Sequence, residues 1–252
     1  MTTGSLTKIM AILVIIIATL YVYHRIPFKF DYMGYTEKIW AHRVNSLEKL
    51  NYTQKHYAGI ELDVVYDLKT NTFDVNHPPA KSIGLTLDTY FSSLNEKNNI
   101  GIWLDFKNLN EENEQESLIK LKELIKKHEL IPQYMIVESQ SPEYLFGFKQ
   151  EGFKTSFYLP SSLNRLSNEE LIAKVLEIKT KIKNYPTNAI STNSVDYSII
   201  AKHFPNEKKY LWNIDGLYNT RIFKNFFLNR KVLKDPKVEV LLVRVTRGIG
   251  NR

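Results

Sequence analysis

Eight short apolar runs, spaced by longer amphipathic ones, limit the folds open to this chain more than any other feature. The runs lie at 38–41, 59–66, 101–106, 134–138, 155–159, 189–192, 209–214 and 238–243. Several are almost continuously hydrophobic, the pattern of strands buried on both faces. Between them, 114–130 and 168–183 place leucine or isoleucine on one helical face and lysine on the other, and 143–150 and 221–233 are shorter helix candidates. Strand, helix, strand, repeated, gives a parallel sheet. Eight such strands give an α/β fold, a single closed (β/α)8 TIM-type barrel.

The first thirty residues stand apart. IMAILVIIIATLYVY, residues 9–23, is a fifteen-residue apolar run interrupted only by Thr19, flanked by Lys8 and Arg25. No small-residue cleavage site follows; the chain continues His24-Arg25-Ile26-Pro27. The expected division is therefore an N-terminal membrane anchor or signal segment at 1–30 and a barrel domain at 31–252. An uncleaved hydrophobic helix over 6–25, spanning a membrane once with the barrel exported, is favoured over a cleaved leader and a secreted barrel. The chain has no cysteine, which excludes disulfides, thiolate metal sites and a cysteine nucleophile. A net charge of +7 suits anionic partners such as phosphates or acidic lipid.

In a barrel of this type, chemistry sits at the carboxyl ends of the strands. The polar residues fall there. His42 and Arg43 follow the first strand, in IWAHRVNS. Glu61 and Asp63, in GIELDVVYD, are two apart on the second strand and so share a face. His77 follows in VNHPP, and Asp105 and Lys107 end the third strand in IWLDFKN. Carboxylates crowded inside a barrel repel unless a positive charge lies between them. Glu61, Asp63 and Asp105 are thus candidate ligands for one divalent cation, a hard ion such as Mg2+ or Ca2+. Arg43 and Lys107 are candidate phosphate donors, and His42 and His77 a candidate acid–base pair. Each residue alone also fits a blander role: a solvated edge strand, a loop histidine, a turn before prolines, a strand-end ion pair. Their coincidence at three successive strand ends favours a site.

The segments AHRVNS, GIELDVVYD, VNHPP and WLDFKN together resemble the glycerophosphodiester phosphodiesterase and phosphatidylinositol phospholipase C-like superfamily. The resemblance is strongest over 38–108. The wording HRVNS and HPP is similar to the menorin-type branch, and Asp-x-Lys in place of Glu-x-Lys is similar to the sphingomyelinase D branch. LWNID at 211–215 resembles the Trp-rich seventh strand of those enzymes. Val44 stands where phosphodiesterases usually have glycine, and Pro78 where they usually have aspartate. The gap from His77 to Gly101 leaves little room for the small helical subdomain of the phosphodiesterase branch. The resemblance implies a (β/α)8 barrel and metal-dependent cleavage of a phosphodiester, with attack by a neighbouring substrate hydroxyl through a cyclic phosphate.

The expected function is therefore hydrolysis or lyase cleavage of a glycerophosphodiester, phospholipid or related phosphodiester, with His42 and His77 as proton carriers. Glu138, Ser139 and Gln140 on the fourth strand, Ser156 and Tyr158 on the fifth, Trp212 and Asn213 on the seventh and Arg244 on the eighth are further pocket candidates. Phe223, Phe226 and Phe227, with Arg221, Lys224, Arg230 and Lys231, read as an outer barrel helix with a solvated basic face rather than a bilayer-docking one. The expected partners are the phosphodiester, a lipid one included, and a membrane reached through the N-terminal segment. Nucleic acid is not expected, because no basic stripe with interleaved aromatics supports it. The alternative from another class is a non-catalytic, membrane-tethered barrel that binds phosphate-bearing lipid or glycan.

Overall fold

The structure, a computed structural model, describes residues 3–25, 30–95, 99–213 and 222–245, with the side chains of 3–6, 20–25 and 222–225 left aside. Its strands are β1 (Ile39–His42), β2 (Gly59–Asp67), β3 (Thr72–Val75), β4 (Gly101–Phe106), β5 (Met135–Ser139), β6 (Lys154–Tyr158), β7 (Ala189–Asn193), β8 (Lys209–Trp212) and β9 (Val238–Arg244). Its helices are α1 (Thr3–Arg25), α2 (Leu47–Thr53), α3 (Leu87–Ser92), α4 (Glu114–His128), α5 (Phe146–Gln150), α6 (Asn168–Asn184), α7 (Tyr197–His203) and α8 (Ile222–Lys234).

All strands but β3 run parallel in the order β1-β9-β8-β7-β6-β5-β4-β2, and pairing of β1 with β2 closes the ring. This is the eight-stranded TIM-type barrel that the spacing of apolar runs predicts. All eight runs form strands, with ends shifted by a residue or so except at β8, which ends at Trp212; Ile214, the expected end of that run, and Asp215 and Arg221 lie outside the described residues. The sequence reading misses β3, which pairs antiparallel with β2 through Val64–Val75 and Asp67–Thr72. It also misses the short helices α3 and α7, each no longer than seven residues and too short to show a helical period. Where the sequence carries caps, helix starts are sharp. Ser167 and Glu170 form a reciprocal capping box at α6, and Ser46 Oγ accepts from Lys49 N at 3.3 Å at α2.

The expected membrane anchor is not borne out. A helix forms over Thr3–Arg25, yet no helix among the described residues is long and apolar enough to cross a membrane. The reason is length. The fifteen-residue apolar run rises about 22 Å at 1.5 Å per residue, against a hydrocarbon core about 30 Å thick. The single-span localisation, and membrane contact through such a span, fall with it.

Two apolar clusters pack the helices against the barrel wall, one mainly on the β1–β5 side and one mainly on the β6–β9 side, and a third fills the interior. The interior layer holds Trp103, Ile136, Ala189, Tyr210, Trp212, Val240 and Leu242, with Trp40 and Tyr158 packed against them. All three tryptophans of the chain thus point inward. Trp40 fits only because the neighbouring strands begin with glycine. A Cβ on Gly59 would lie 2.1 Å from its ring, and one on Gly101 2.2 Å. Gly59→Ala is therefore expected to destabilise by about 1–3 kcal/mol or more, the scale of an overpacked core. Adding Trp40→Leu should recover part of the loss. Thermal unfolding of the three proteins tests this, and a Gly59→Ala protein that melts with the parent would show the ring has room to move.

Candidate functional site

The turn after β1 builds the site's first wall. His42 ends the strand, and Arg43 takes a left-handed conformation (φ 56°). Its backbone N–H then points into the barrel and donates to Glu61 Oε2 at 2.6 Å, while Val44 N donates to Glu61 O at 2.8 Å. Val44 is fully buried and its carbonyl accepts from Tyr90 Oη at 2.9 Å. Since the left-handed residue of this turn is Arg43, the next position needs no glycine, which accounts for Val44 there.

Glu61 and Asp63 face the barrel interior, 2% and 1% exposed. Asp63 sits in register with Asp105 on β4, so the third carboxylate lies beside the second. One oxygen from each of Glu61, Asp63 and Asp105 lies within 4.8 Å of the others. Lys107, two residues past Asp105, turns inward to bridge them. Its Nζ lies 2.8 Å from Asp63 Oδ1 and also pairs with Asp105 Oδ2. Burial alone would make Lys107 a weaker base, but the Asp105 and Asp63 charges outweigh it and raise its pKa. Burial, then the Asp63 and Asp105 charges, pushes Glu61 well above the usual carboxylate range, and burial raises Asp105 despite Lys107.

The two histidines reach this cluster by different routes. His42 Nε2 lies 3.7 Å from Glu61 Oε2. Burial, then the Arg43 charge, lowers its pKa to about 3. His77 arrives on the return strand β3, which runs back along β2 and leaves Asn76 N donating to Asp63 O at 3.1 Å. His77 Nε2 lies 4.0 Å from Asp63 Oδ1 and 3.1 Å from Arg43 Nη2. A guanidinium can only donate, so Nε2 is the acceptor in that contact.

Asn45 is a site residue that the sequence reading passes over. Its Nδ2 donates to Asp63 Oδ2 at 2.6 Å, and its Oδ1 accepts from Asp63 N at 2.9 Å, a two-point clasp. The only sequence signal is its place within HRVNS. Asn45→Ala leaves a buried carboxylate short of one donor, and we expect a stability loss of about 1–3 kcal/mol. Chemical denaturation measures it; an unchanged midpoint would mean that the clasp is dispensable.

The remaining candidates lie on β5, β6, β8 and β9 or just past their ends. Glu138 pairs with Asp105 in register and accepts from Ser191 Oγ, another residue not foreseen. Burial, then the Asp105 charge, holds Glu138 well above the usual carboxylate range. Tyr158 is half-buried and meets Trp212 edge-on, centroids 4.9 Å apart. Ser156 is buried in register with Glu138, and Arg244 lies in register with His42. Three other candidates are committed elsewhere or turn outward. Ser139 Oγ accepts from Ser141 N, Gln140 is exposed, and Asn213 joins a buried chain through Asn229 to Asp31. On α8, Arg230 donates to Met33 O, while Phe223 and Lys224 lie outside the described side chains.

With this geometry in view, the comparisons with known proteins are specific over one part of the chain. Residues 35–134 match the model of the menorin N-terminal domain. No curated protein matches. Among solved structures, a glycerophosphodiester phosphodiesterase from Parabacteroides distasonis is similar at TM-score 0.56 and 14% identity, over 82% of this chain and 92% of that one. A phosphodiesterase from Oleispira antarctica, solved with the product sn-glycerol-3-phosphate, matches at TM-score 0.56 and 12% identity, over 82% and 92%. At such identities the likeness carries the fold alone. A phosphoribosyl anthranilate isomerase from Thermococcus kodakaraensis reaches TM-score 0.50 at 13% identity, over 83% of this chain and 89% of its own. The chain thus carries a menorin N-terminal domain match on a barrel like those of the glycerophosphodiester phosphodiesterases, the superfamily that its motifs resemble.

Proposed function

We propose that this protein cleaves phosphodiesters at the mouth of its barrel, with one divalent cation bound. The observation that carries the reading is the meeting of three carboxylates, two histidines, an arginine and a lysine at one set of strand ends. The donor set fits such an ion. Glu61, Asp63 and Asp105 offer hard oxygen ligands within 4.8 Å of one another, and burial followed by mutual repulsion disfavours the charged form of Glu61, a cost that a cation among them would offset. Mg2+ or Ca2+ held there would supply charge that stabilises a phosphate as negative charge builds on it.

The chain's own groups do the rest. Arg43 offers a planar pair of N–H donors to the phosphate oxygens, and its contact with His77 orients both. Lys107, fully charged through its carboxylate partners, adds a point charge on the same side. Of His42 and His77, one accepts the proton of the attacking hydroxyl and the other delivers one to the leaving oxygen. Tyr158 and Trp212 form an apolar wall across the mouth, against which the leaving group can rest.

The test is a panel of phosphodiesters assayed with Mg2+, with Ca2+ and with chelator. The panel includes deacylated glycerophosphodiesters and intact lipid. Cleavage that chelator stops is the expected result. Binding of phosphate ligands with no turnover on any member would instead favour a non-catalytic phosphate-binding barrel.

A further inference from the structure

We infer that Asn108 is a positioning residue for Lys107, a side-chain rung that extends the β2–β4 ladder one step past its end and so aims the lysine into the mouth. This rests on the phosphodiester reading, in which Lys107 sets a positive charge beside the phosphate.

Lys107 stands where a strand would release its chain. The last backbone pair between β2 and β4 joins Val64 to Phe106, and β4 ends there, while β2 runs on to Asp67. Lys107 N donates to Val64 O at 2.9 Å, its own tie to β2. Asn108 supplies the next one. Its Oδ1 accepts from Tyr66 N at 2.9 Å, and its Nδ2 donates to Tyr66 O at 2.8 Å. An asparagine amide carries acceptor and donors on one short arm, so it stands in for the backbone amide that a longer β4 would present. Held before and behind, Lys107 keeps the alternation of the strand and turns inward like Trp103 and Asp105. There its Nζ meets both Asp63 and Asp105.

Both ends of the rung are anchored. Tyr66 is buried, its ring 4.9 Å from that of Phe73 across the β2–β3 hairpin, and Phe73 packs edge-on against Phe106 at 5.4 Å. On the other side, Asn108 O accepts from Nδ2 of Asn113, the buried residue before α4, at 2.8 Å. A lysine side chain is a flexible four-carbon stem, and its charge aids a reaction only when held where negative charge builds. The two carboxylates fix the ammonium end of Lys107. Asn108 fixes the backbone end. Without the rung, Lys107 N keeps the tie to β2 beyond Phe106, and the stem has to absorb the added freedom of the backbone.

Two measurements on the full chain with Mg2+ test this, one of them independent of turnover. In heteronuclear NMR spectra of lysine ammonium groups, the Lys107 signal is assigned by its loss in Lys107→Met. It should be sharp in the parent, since carboxylates hold its protons, and Asn108→Ala should broaden or abolish it while the protein stays folded. Asn108→Gln, which keeps the amide but lengthens the arm, takes the place of an alanine variant that does not fold. An unchanged Lys107 signal in the folded variant overturns the proposal. In kinetics, Asn108→Ala should lower kcat/KM by about 10- to 100-fold, the scale of a small misplacement at a reacting centre. In a Lys107→Met background the same substitution should change it by no more than about twofold, because residues that act through one effect are not additive. Equal losses in both backgrounds would make Asn108 a support of the fold alone, and the proposal fails. A disturbed Lys107 signal with no phosphodiester cleaved by the parent would keep the positioning and sink the phosphodiesterase reading. Cleavage by the parent, with neither signal nor rate answering to Asn108→Ala, would do the reverse.

Discussion

Asp63→Asn is expected to lower divalent-cation affinity by more than about 100-fold, beyond the usual effect of removing an outer partner of a metal site. Asp63 is the hub of the acidic cluster. Its two oxygens face Lys107 and the Asn45 amide, its N–H is held by Asn45, and Asp105 stands beside it in register. The asparagine keeps the shape while removing the charge, which separates loss of a ligand from collapse. Asp63→Ala should do more damage. It leaves Lys107 with one carboxylate and the Asn45 amide unpaired, and breaking a buried pair costs about 3–5 kcal/mol. Calorimetric titration of Mg2+ and Ca2+ into parent and variant reads the first effect, and denaturant unfolding the second. If Asp63→Asn binds either ion as the parent does, the cation site lies elsewhere.

His42→Ala and His77→Ala should each lower kcat by about 10²–10⁴-fold, the range for a general acid or base, while cation binding stays intact. Neither histidine is a proposed ligand. The pH behaviour of His42 offers a separate check. Burial, then the Arg43 charge, holds its pKa at about 3, against 6.5 when unperturbed. The unfolded chain thus takes up a proton as pH falls through 6.5, whereas the native protein does not until near 3. The stability contribution is intact above about 6.5 and is lost progressively as pH falls toward 3. Removing the ring by His42→Ala should flatten the acid limb of stability across that window. Unfolding midpoints between pH 7 and 4, roughly the span between the two states' affinities, measure it. Parent-like turnover in both variants would remove the histidines from the chemistry and leave the fold untouched.

How much of this could be read from the chain differs from residue to residue. The barrel was legible because burial on both faces writes itself locally: a strand enclosed by interior and helices must be apolar along its length. The shared face of Glu61 and Asp63 followed from the two-residue period of a strand, and their burial from the apolar residues on either side. Distances along the chain do not tell where separate strands meet. That Asp105 lies beside Asp63 is a matter of register between β2 and β4. That Lys107 answers two carboxylates follows from the same register. Asn45 could not be found, since an asparagine after a strand is ordinary until a turn aims it at Asp63. His77 was a candidate from its motif, but its route to the mouth was not legible, because the short reversed strand β3 carries the chain back there.

Apolar composition also misled at the N-terminus, where it resembled a span but the fifteen-residue apolar run is too short to be one. The sequence by itself determined the eight strands of the barrel and which residue types stand at their ends. Only the tertiary structure decided which charges meet. Strand period and burial are set by each residue and its neighbours in the chain, whereas a carboxylate's partner is set by barrel closure, register and the aim of a turn, which bring together residues far apart in sequence.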